Sequence, residues 1–287
     1  MSAQFDLVIH GPAFRLDHAK AIARICNVPE QSVRPFEHSA RMPVNDPDPV
    51  MRAAVAAHCQ QTNLDHAFVP SGKTLADFGL LAMDMDSTLI TIECIDEIAD
   101  MQGIKPQVAA ITASAMRGEI DFPESLRRRV SLLAGLSESA LQRVYDERLR
   151  LSPGAEAMLA RLKELNIKTL LVSGGFTFFT ERLKSRLGLD HTLSNALEIV
   201  DGKLTGQVLG DIVDAQAKAS RLAKLRDELK LKPDQVIAMG DGANDLLMLA
   251  EAGVSVAYHA KPVVREHATH SFNHAGLDGV LSLYDPK

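Results

Sequence analysis

Four short apolar runs, separated by segments with helical periodicity, constrain the fold of this chain more than any other feature. The runs are residues 78–83, 168–172, 236–239 and 254–258. The helices expected between them lie near residues 154–166, 176–187, 215–229 and 243–252. Because apolar strands that alternate with helices build a parallel sheet covered on both faces, the pattern predicts a doubly wound α/β fold. An Asp-Gly pair between apolar flanks at residues 200–204 predicts an added hairpin.

Carboxylates follow two of these runs at the point where each strand is expected to stop. Asp84 and Asp86 come after the first run, and Asp241 and Asp245 come after the third. In open parallel sheets, ligands bind just outside the carboxyl ends of the strands. The two acidic strand ends could therefore share one metal ion. The simpler alternative is that Asp84 or Asp86 caps the segment that follows it.

The second run leads into a Ser-Gly-Gly segment at residues 173–175, directly before the predicted helix at about residue 176. A hydroxyl and exposed N–H groups at a helix amino terminus form a favourable seat for phosphate. A serine cap on the helix is compatible with that role. Lys218 lies near the start of the helix that precedes Asp241, but its spacing alone does not distinguish it from Lys224.

Composition is that of an ordinary globular protein and argues against several classes of function. The 287 residues are 46% hydrophobic and 24% charged, and a net charge of -6 argues against a nucleic-acid-binding surface. Three cysteines without metal-ligand spacing indicate neither a disulfide framework nor a zinc site. The first residues lack the features of a signal peptide, and no apolar run is long enough to span a bilayer. We therefore expect a soluble cytoplasmic protein with no nucleic-acid or membrane partner.

The amino-terminal part of the chain, residues 1–75, has a different pattern from the rest. It holds candidate strands at 5–9, 32–36 and 67–70 and candidate helices at 16–26 and 49–60. This mixture predicts a small α+β unit. Prolines at positions 43, 47 and 49 predict a loop in its middle.

A long insertion separates the first and second runs of the predicted sheet. Residues 92–152 have helical character throughout, with breaks at glycine and proline. Such an insertion is too long for an ordinary connection between a strand and a helix. We expect it to form a helical cap over the strand ends, within a larger unit at residues 76–287.

The segments at the strand ends, taken in order, resemble the four motifs of the haloacid dehalogenase (HAD) superfamily. They are residues 84–88, 173–175, 218 and 240–245. The resemblance covers about residues 76–287 and extends into the cap. There, Glu93, Met116, Phe122 and residues 127–133 are similar to the substrate-recognition segments of the phosphoserine phosphatases. Residues 1–75 are not explained by it.

The resemblance implies a mechanism in which Asp84 attacks phosphorus and forms an aspartyl-phosphate. Asp86 would protonate the leaving oxygen and then deprotonate the attacking water. Mg²⁺ is the implied ion, held by Asp84, the main-chain carbonyl of Asp86, Asp241 and waters. Asp245 would hold a water or lie in the outer ligand shell.

The resemblance also implies how the phosphate is bound. Ser173, Gly174 and Lys218 would neutralise the phosphoryl oxygens, because phosphoryl transfer depends chiefly on positioning and charge. It further implies a role in substrate binding for Phe122, Met116 and Asn244. For the first two of these side chains, core packing is the alternative.

Phosphoserine carries an ammonium and a carboxylate beside its phosphate, so a selective pocket needs one anionic and one cationic partner. In the resemblance, Glu93 and Arg129 supply that pair. The alternative for Glu93 is an exposed loop acid. Residues 127–129 are all arginine, and adjacent residues on a helix point about 100° apart, so only one of them is expected to enter the site.

The function implied is Mg²⁺-dependent hydrolysis of O-phosphoserine, the last step of serine biosynthesis. One alternative keeps the fold and changes the substrate to phosphohomoserine or another small phosphomonoester, by hydrolysis or by transfer. A second alternative is a metal-binding sensing or interaction module without turnover. The amino-terminal unit would be an amino-acid-binding regulatory domain or a dimerisation surface, which leaves a homodimer open.

Overall fold

The computed structural model describes residues 4–286, which form two β-sheets with helices packed against them. In chain order, the strands are β1 (Gln4–His10), β2 (Arg34–Pro35), β3 (Ser39–Asn45), β4 (Asp65–Pro70), β5 (Leu80–Met83), β6 (Lys168–Phe176), β7 (His191–Val200), β8 (Lys203–Leu209), β9 (Val236–Gly240), β10 (Val254–Tyr258) and β11 (His270–Phe272). The helices are α1 (Leu16–Ile25), α2 (Pro49–Thr62), α3 (Cys94–Met101), α4 (Lys105–Met116), α5 (Phe122–Ser131), α6 (Glu138–Arg143), α7 (Ala155–Glu164), α8 (Thr177–Leu187), α9 (Ala215–Glu228), α10 (Leu246–Ala250), α11 (Pro262–His267) and α12 (Gly279–Tyr284). Within residues 4–286, no helix is long and apolar enough to cross a membrane.

The larger sheet has the strand order β11-β10-β9-β5-β6-β7-β8. Every neighbouring pair in it is parallel except β7 and β8. Its two faces belong to separate apolar clusters, one packed with α7, α8 and α12 and the other with α9, α10 and α11. Strands buried on both faces read as continuous apolar runs, which is why these runs identified the sheet. The doubly wound α/β prediction is confirmed.

The β7–β8 hairpin turns at Asp201 and Gly202. Both residues have left-handed backbones, with φ of 51° and 72°. Two consecutive positive φ angles are what a tight turn of matching twist requires, and Asp-Gly is among the sequences that adopt them. The hairpin prediction is confirmed.

Helices α3 to α6 lie between β5 and β6, in the segment predicted as a helical insertion. Asp121 is the N-cap residue of helix α5, and its side chain accepts a hydrogen bond from the Glu124 amide. Pro123 lies in the first turn of the helix. The same helix contacts β8, and the amide of Gly135 donates to the carbonyl of Leu204. The insertion therefore contacts the large sheet through the β7–β8 hairpin at its edge.

The smaller sheet has the antiparallel order β2-β3-β1-β4, with α1 and α2 on one face. The loop predicted from the prolines is wrong at residues 43–45, because these belong to β3, and is confirmed at residues 46–48. Pro43 is tolerated there because β2 pairs only with Ala40 and Arg41, so β3 has no second neighbour at Pro43. The strand expected at 32–36 is shorter than predicted, since only Arg34–Pro35 pairs.

The second face of the smaller sheet packs onto the larger unit. Val8 and Val69 belong to the same buried cluster as Phe78, Val280 and Tyr284. A half-buried ion pair between Arg41 and Asp6, at 3.1 Å, lies at this junction, and Arg41 also donates to the carbonyl of Leu283. The two units thus share one continuous core.

Candidate active site

The ends of β5, β6 and β9 and the inner side of the helical insertion enclose a cleft of about 560 Å³. Nearly all of the side chains singled out from the sequence line it. From the strand ends these are Asp84, Asp86, Ser173, Gly174, Asp241 and Asn244, and from the insertion Glu93, Met116, Phe122 and Arg129. Lys218 and Asp245 are not in the cleft wall but lie buried, in contact with Asp84 or with each other. The structure therefore brings every predicted site residue into one region.

Asp84 lies one residue beyond β5 and is 4% exposed. Its main-chain N–H donates to the carbonyl of Met239 on β9, which anchors the strand end. Its Oδ1 atom accepts a hydrogen bond of 2.7 Å from the Met85 amide, at the start of the irregular turn Met85–Leu89. The capping contact is thus present, and it also fixes the orientation of the carboxylate.

Lys218 is held between two carboxylates. Its Nζ atom lies 2.9 Å from Oδ1 of Asp84 and 2.8 Å from Oδ1 of Asp245, and the side chain is 1% exposed. Burial works against its charge, but the two carboxylates outweigh that effect and raise the pKa of the ammonium. Asp214 caps α9 by accepting from the Ala217 amide, which places Lys218 in the first turn. Lys224, the alternative from spacing, is exposed.

Three carboxylates form a cluster that can hold a metal ion. Single oxygen atoms of Asp84, Asp241 and Asp245 all lie within 4.8 Å of one another. Burial, and then the charge of Asp245, raises the pKa of Asp84, and the same two causes raise the pKa of Asp241 to about 6. One lysine against three ionised carboxylates leaves two negative charges uncompensated, which a divalent cation would balance. Ligands made only of oxygen suit a hard cation.

Asp86 is partly buried and is placed by the peptide that begins α3. Its Oδ1 atom accepts a hydrogen bond of 3.0 Å from the amide of Cys94. Burial, followed by the charge of Glu93, raises the pKa of Asp86 to about 7. A carboxyl group that titrates near neutrality can both donate and accept a proton at working pH.

Ser173 and Gly174 lie inside β6 and not at a helix amino terminus. The prediction that the helix begins at about residue 176 places it slightly early, because β6 runs to Phe176 and α8 begins at Thr177. The register of β6 against β7 shifts between Val172 and Phe176, so the backbone bulges at this point. Phosphate-binding groups here would come from a bulged strand end.

Side-chain hydrogen bonds hold that bulge. The Oγ atom of Ser173 accepts from the Gly175 amide at 2.8 Å. Asn195 donates through Nδ2 to the carbonyl of Gly174 and accepts through Oδ1 from the Val213 amide, both at 2.8 Å. The side chain of Ser173 is buried, so its orientation is set before any ligand binds.

Glu93 and Arg129 bring opposite charges to the cap side of the cleft. Glu93 accepts a hydrogen bond of 2.7 Å from the hydroxyl of Ser87. Arg129 is partly buried and its Nε donates to the carbonyl of Ser125, whereas Arg127 and Arg128 are exposed. Of the three consecutive arginines, the structure thus places Arg129 at the cleft.

The remaining predicted residues, Phe122, Met116 and Asn244, also line the cleft. A Cβ atom built on Gly174 would lie 3.0 Å from Cζ of Phe122, so the ring of Phe122 reaches the phosphate-binding segment. Met116 is 74% exposed, which excludes core packing as its role in this conformation. Asn244 is exposed in the segment after β9.

Several residues near the site were not identified from the sequence, among them Asn195, Lys261, Asp96 and Cys94. Lys261 and Asp96 line the cleft, and the amide of Cys94 contacts Asp86. Lys261 could have been found, because it follows the fourth apolar run and so obeys the same strand-end rule. Asp96 and Cys94 carry no comparable signal, since they lie in the first turn of an amphipathic helix.

Comparison with known proteins gives consistent results. Residues 78–253 match the family model for haloacid dehalogenase-like hydrolases. A phosphoserine phosphatase from Polaromonas sp. (strain JS666) is 56% identical over 214 residues, which are 73% of this chain and 91% of that one. The unliganded crystal structure of a probable phosphoserine phosphatase from Vibrio cholerae is 38% identical, has a TM-score of 0.83 and covers 97% of this chain and 85% of that one. A structure of a phospho-aspartyl intermediate analogue of phosphoserine phosphatase is 37% identical, with a TM-score of 0.67, and covers 72% of this chain and 99% of that one.

Proposed function

The chain belongs to the haloacid dehalogenase-like hydrolases, and from that membership we propose that it hydrolyses O-phosphoserine to serine and phosphate. The observation that carries this proposal is that one cleft holds the buried carboxylate of Asp84 together with the opposite charges of Glu93 and Arg129. The carboxylate of Asp84 suits attack on a phosphomonoester. The opposite charges of Glu93 and Arg129 suit the ammonium and carboxylate of an amino acid. The names of the relatives support the same substrate.

Asp84 is the proposed nucleophile. Its carboxylate oxygen forms a bond to phosphorus as the bond from phosphorus to the serine oxygen breaks, and Asp86 donates a proton to that oxygen. In the second step, Asp86 takes a proton from a water, which attacks the aspartyl-phosphate and releases inorganic phosphate. The pKa of about 7 for Asp86 lets it serve in both directions.

Mg²⁺ is the proposed cation, with ligands from Asp84, the main-chain carbonyl of Asp86 and Asp241, and with Asp245 acting through a water. When bound, it offsets the repulsion between an anionic nucleophile and an anionic phosphate. The all-oxygen cluster and its two uncompensated charges support this choice.

Lys218 and the bulged strand end are proposed to bind the phosphate. An ammonium group has three N–H donors, and Asp84 and Asp245 occupy two of them, so the third is available to a phosphoryl oxygen. Ser173 and Gly174 both line the cleft. These groups are in place before the substrate arrives, and such preorganisation stabilises developing charge in the transition state.

Substrate selection is proposed to depend on Glu93 for the ammonium and Arg129 for the carboxylate. Phe122 and Met116 would exclude water above the phosphate, and Asn244 would contact the substrate from the β9 end. The exposed position of Met116 fits a residue that becomes buried only when the cap closes over a ligand.

We propose that residues 1–75 form one domain and residues 76–287 a second, with the cap inserted at 92–152. The two separate sheets support this division. The shared core at their junction supports a structural role for the first domain in the second.

A phosphate-release assay tests the proposed function. The purified protein would be given phosphoserine, phosphothreonine and phosphohomoserine in Mg²⁺, with a parallel series in EDTA. We expect the highest kcat/KM for phosphoserine and no turnover in EDTA. A preference for phosphohomoserine would overturn the proposed substrate. Metal binding without phosphate release from any phosphomonoester would overturn the proposed enzymatic activity.

A further inference from the structure

The carboxylate of Asp65, in the amino-terminal unit, binds a segment of the larger unit. Its Oδ1 atom accepts from the amide of Asn273 at 2.8 Å, and its Oδ2 atom accepts from the amides of His274 and Ala275 at 2.9 and 2.8 Å. The side-chain amide of Asn273 adds a longer contact of 3.4 Å. Asp65 is 2% exposed, so few other groups compete for these oxygens. Three consecutive backbone amides converging on one buried carboxylate fix the path of residues 273–275.

The same segment is bound on its other side by His259. The main-chain N–H of His259 donates to the carbonyl of Phe272 at 2.7 Å, and Nε2 lies 3.1 Å from the carbonyl of Ala275. A carbonyl oxygen only accepts, so Nε2 carries the proton in this contact. His259 has a left-handed backbone, with φ of 45°. Such a conformation persists in a residue other than glycine where its surroundings hold it.

Two residues beyond His259, the chain reaches the candidate active site. The amide of Lys261 donates to the carbonyl of Asp241 at 3.2 Å, and Lys261 lines the cleft. Asp241 belongs to the carboxylate cluster. Hydrogen bonds therefore link Asp65 to residues 273–275 and these to His259, and two residues of chain link His259 to Lys261, whose amide donates to Asp241.

We propose that Asp65 is a positioning residue for catalysis, which holds the turn at His259 and thereby the contact between Lys261 and Asp241. Its effect on catalysis rests on the proposed function, whereas its effect on the backbone does not. The amino-terminal unit then contributes to the geometry of the metal-binding cluster without touching the substrate. Its role goes beyond covering apolar surface.

The substitution Asp65→Asn is the direct test. Asparagine has the same shape but only one accepting oxygen, so amides of residues 273–275 lose a partner. Asp190→Asn is the matched control. Asp190 also accepts a backbone amide, that of Thr169 at 3.0 Å, but at the end of β6 opposite to Ser173. Within residues 4–286, no hydrogen bond joins Asp190 to a residue of the carboxylate cluster.

His259→Asn provides a second variant that does not depend on whether Asp65→Asn folds. Asparagine tolerates a left-handed backbone but is too short to reach the carbonyl of Ala275. If both positions act through the same segment, their effects in the double variant are smaller than the sum of the single effects. Independent roles would give a simple sum.

Two measurements without substrate come first. Hydrogen exchange reports the protection of the amides of residues 259–261, and calorimetric titration with Mg²⁺ reports the affinity of the cluster. We expect Asp65→Asn and His259→Asn to increase exchange there and to weaken Mg²⁺ binding about 10-fold, the lower end of effects seen for outer-shell ligands. Asp190→Asn should leave Mg²⁺ affinity unchanged, and any loss of stability that it causes should increase exchange at residues 259–261 no more than elsewhere in the sheet.

Steady-state kinetics then separate positioning from general damage. In saturating phosphoserine, the Asp65 and His259 variants should need more Mg²⁺ for half-maximal rate, with KM for phosphoserine little changed. Unchanged exchange and Mg²⁺ affinity in both variants, or the same changes in Asp190→Asn, would overturn the proposal. If the protein proves not to hydrolyse phosphoserine, the exchange and calorimetric results still decide it.

Discussion

The Nζ atom of Lys218 lies 2.9 Å from the Oδ1 atom of Asp84, and both side chains are buried. Burial raises the pKa of Asp84, and the lysine opposes that shift. A nucleophilic carboxylate must be ionised to attack phosphorus, so the reactivity of Asp84 depends on the positive charge beside it. The proposed function thus gives Lys218 a catalytic role in addition to its buried ion pairs.

Lys218→Met is expected to lower both stability and activity. Methionine preserves most of the volume but leaves Asp84 and Asp245 without their common partner. Removing one member of a buried ion pair costs about 3 to 5 kcal/mol in free energy of unfolding. Loss of a charged donor at the phosphate should reduce kcat about 100-fold or more. Urea unfolding in EDTA and phosphate release measure the two effects.

The control for that substitution lies on the same helix. Lys224 is exposed on α9, so Lys224→Met should change the free energy of unfolding by no more than about 0.5 kcal/mol and leave turnover intact. Similar results for the two lysine variants would show that the buried ion pairs do not matter.

Glu93→Gln is expected to change specificity more than rate. A charge-assisted hydrogen bond to the substrate ammonium contributes about 1.5 to 3 kcal/mol, so kcat/KM for phosphoserine should fall at least about 10-fold. Phosphoglycerate, which carries a hydroxyl in place of the amine, should be affected much less. Comparing the two substrates on one enzyme preparation corrects for any damage to the fold. Equal losses would remove Glu93 from amino-group recognition.

Gly175→Ala is expected to displace Asp86. A Cβ atom at Gly175 would lie 2.8 Å from Oδ2 of Asp86 and 3.0 Å from Oγ of Ser173. Because a misplacement of about 1 Å at a reacting group can cost 100-fold in rate, we expect a loss of about that size in kcat. Gly202→Ala, in the hairpin turn, strains the backbone without touching any neighbour within 4 Å. It should retain full activity, and if Gly175→Ala also does, the close packing at Asp86 is not required for catalysis.

Two buried histidines are expected to make a contribution to stability that is lost in mild acid. Burial lowers the pKa of His10 and of His270 to about 4 each. The unfolded chain takes up these protons at a pKa of about 6.5. Between about pH 6.5 and pH 4 the unfolded state binds more protons at these two positions, so the histidine contribution to the free energy of unfolding falls as the pH falls, by up to about 3 kcal/mol for each histidine. The raised pKa values of Asp86 and Asp241 make a contribution of opposite sign in the same range.

His10→Leu should reduce the histidine contribution. Within residues 4–286, neither ring nitrogen of His10 has a hydrogen-bond partner, so an apolar replacement leaves no acceptor or donor unpaired. Relative to the unchanged protein, the variant should gain stability progressively between pH 6.5 and 4 in urea titrations. His38→Leu, at a largely exposed position, should keep the slope of the unchanged protein. An unchanged slope in His10→Leu would contradict the buried neutral state of that ring.

Sequence alone predicted the large sheet because its strands are buried on both faces. Such strands must be apolar along their whole length, and that makes them visible as runs. Their ends pointed to Asp84 and Asp241 for the same reason. The position of Lys218 could not be derived from spacing, since only the three-dimensional packing of α9 against Asp84 and Asp245 distinguishes it from Lys224.

The amino-terminal unit was harder to predict. The sequence does not predict β3, because proline usually interrupts a strand, whereas the short β2 leaves Pro43 at a position where a strand tolerates it. The contact between Asp65 and residues 273–275 joins residues more than 200 positions apart in the chain. No local pattern encodes such a contact, so the junction between the two units became evident only in the structure.

Identification of the phosphorylated residue tests the central claim most directly. The protein would be mixed with phosphoserine and Mg²⁺, quenched in acid within the first turnover, and digested for mass spectrometry, with Asp84→Asn treated in parallel. We predict one phosphoryl group on Asp84 and none in the variant, which should remain folded. A phosphoryl group on another side chain, or turnover of phosphoserine by Asp84→Asn, would contradict the account.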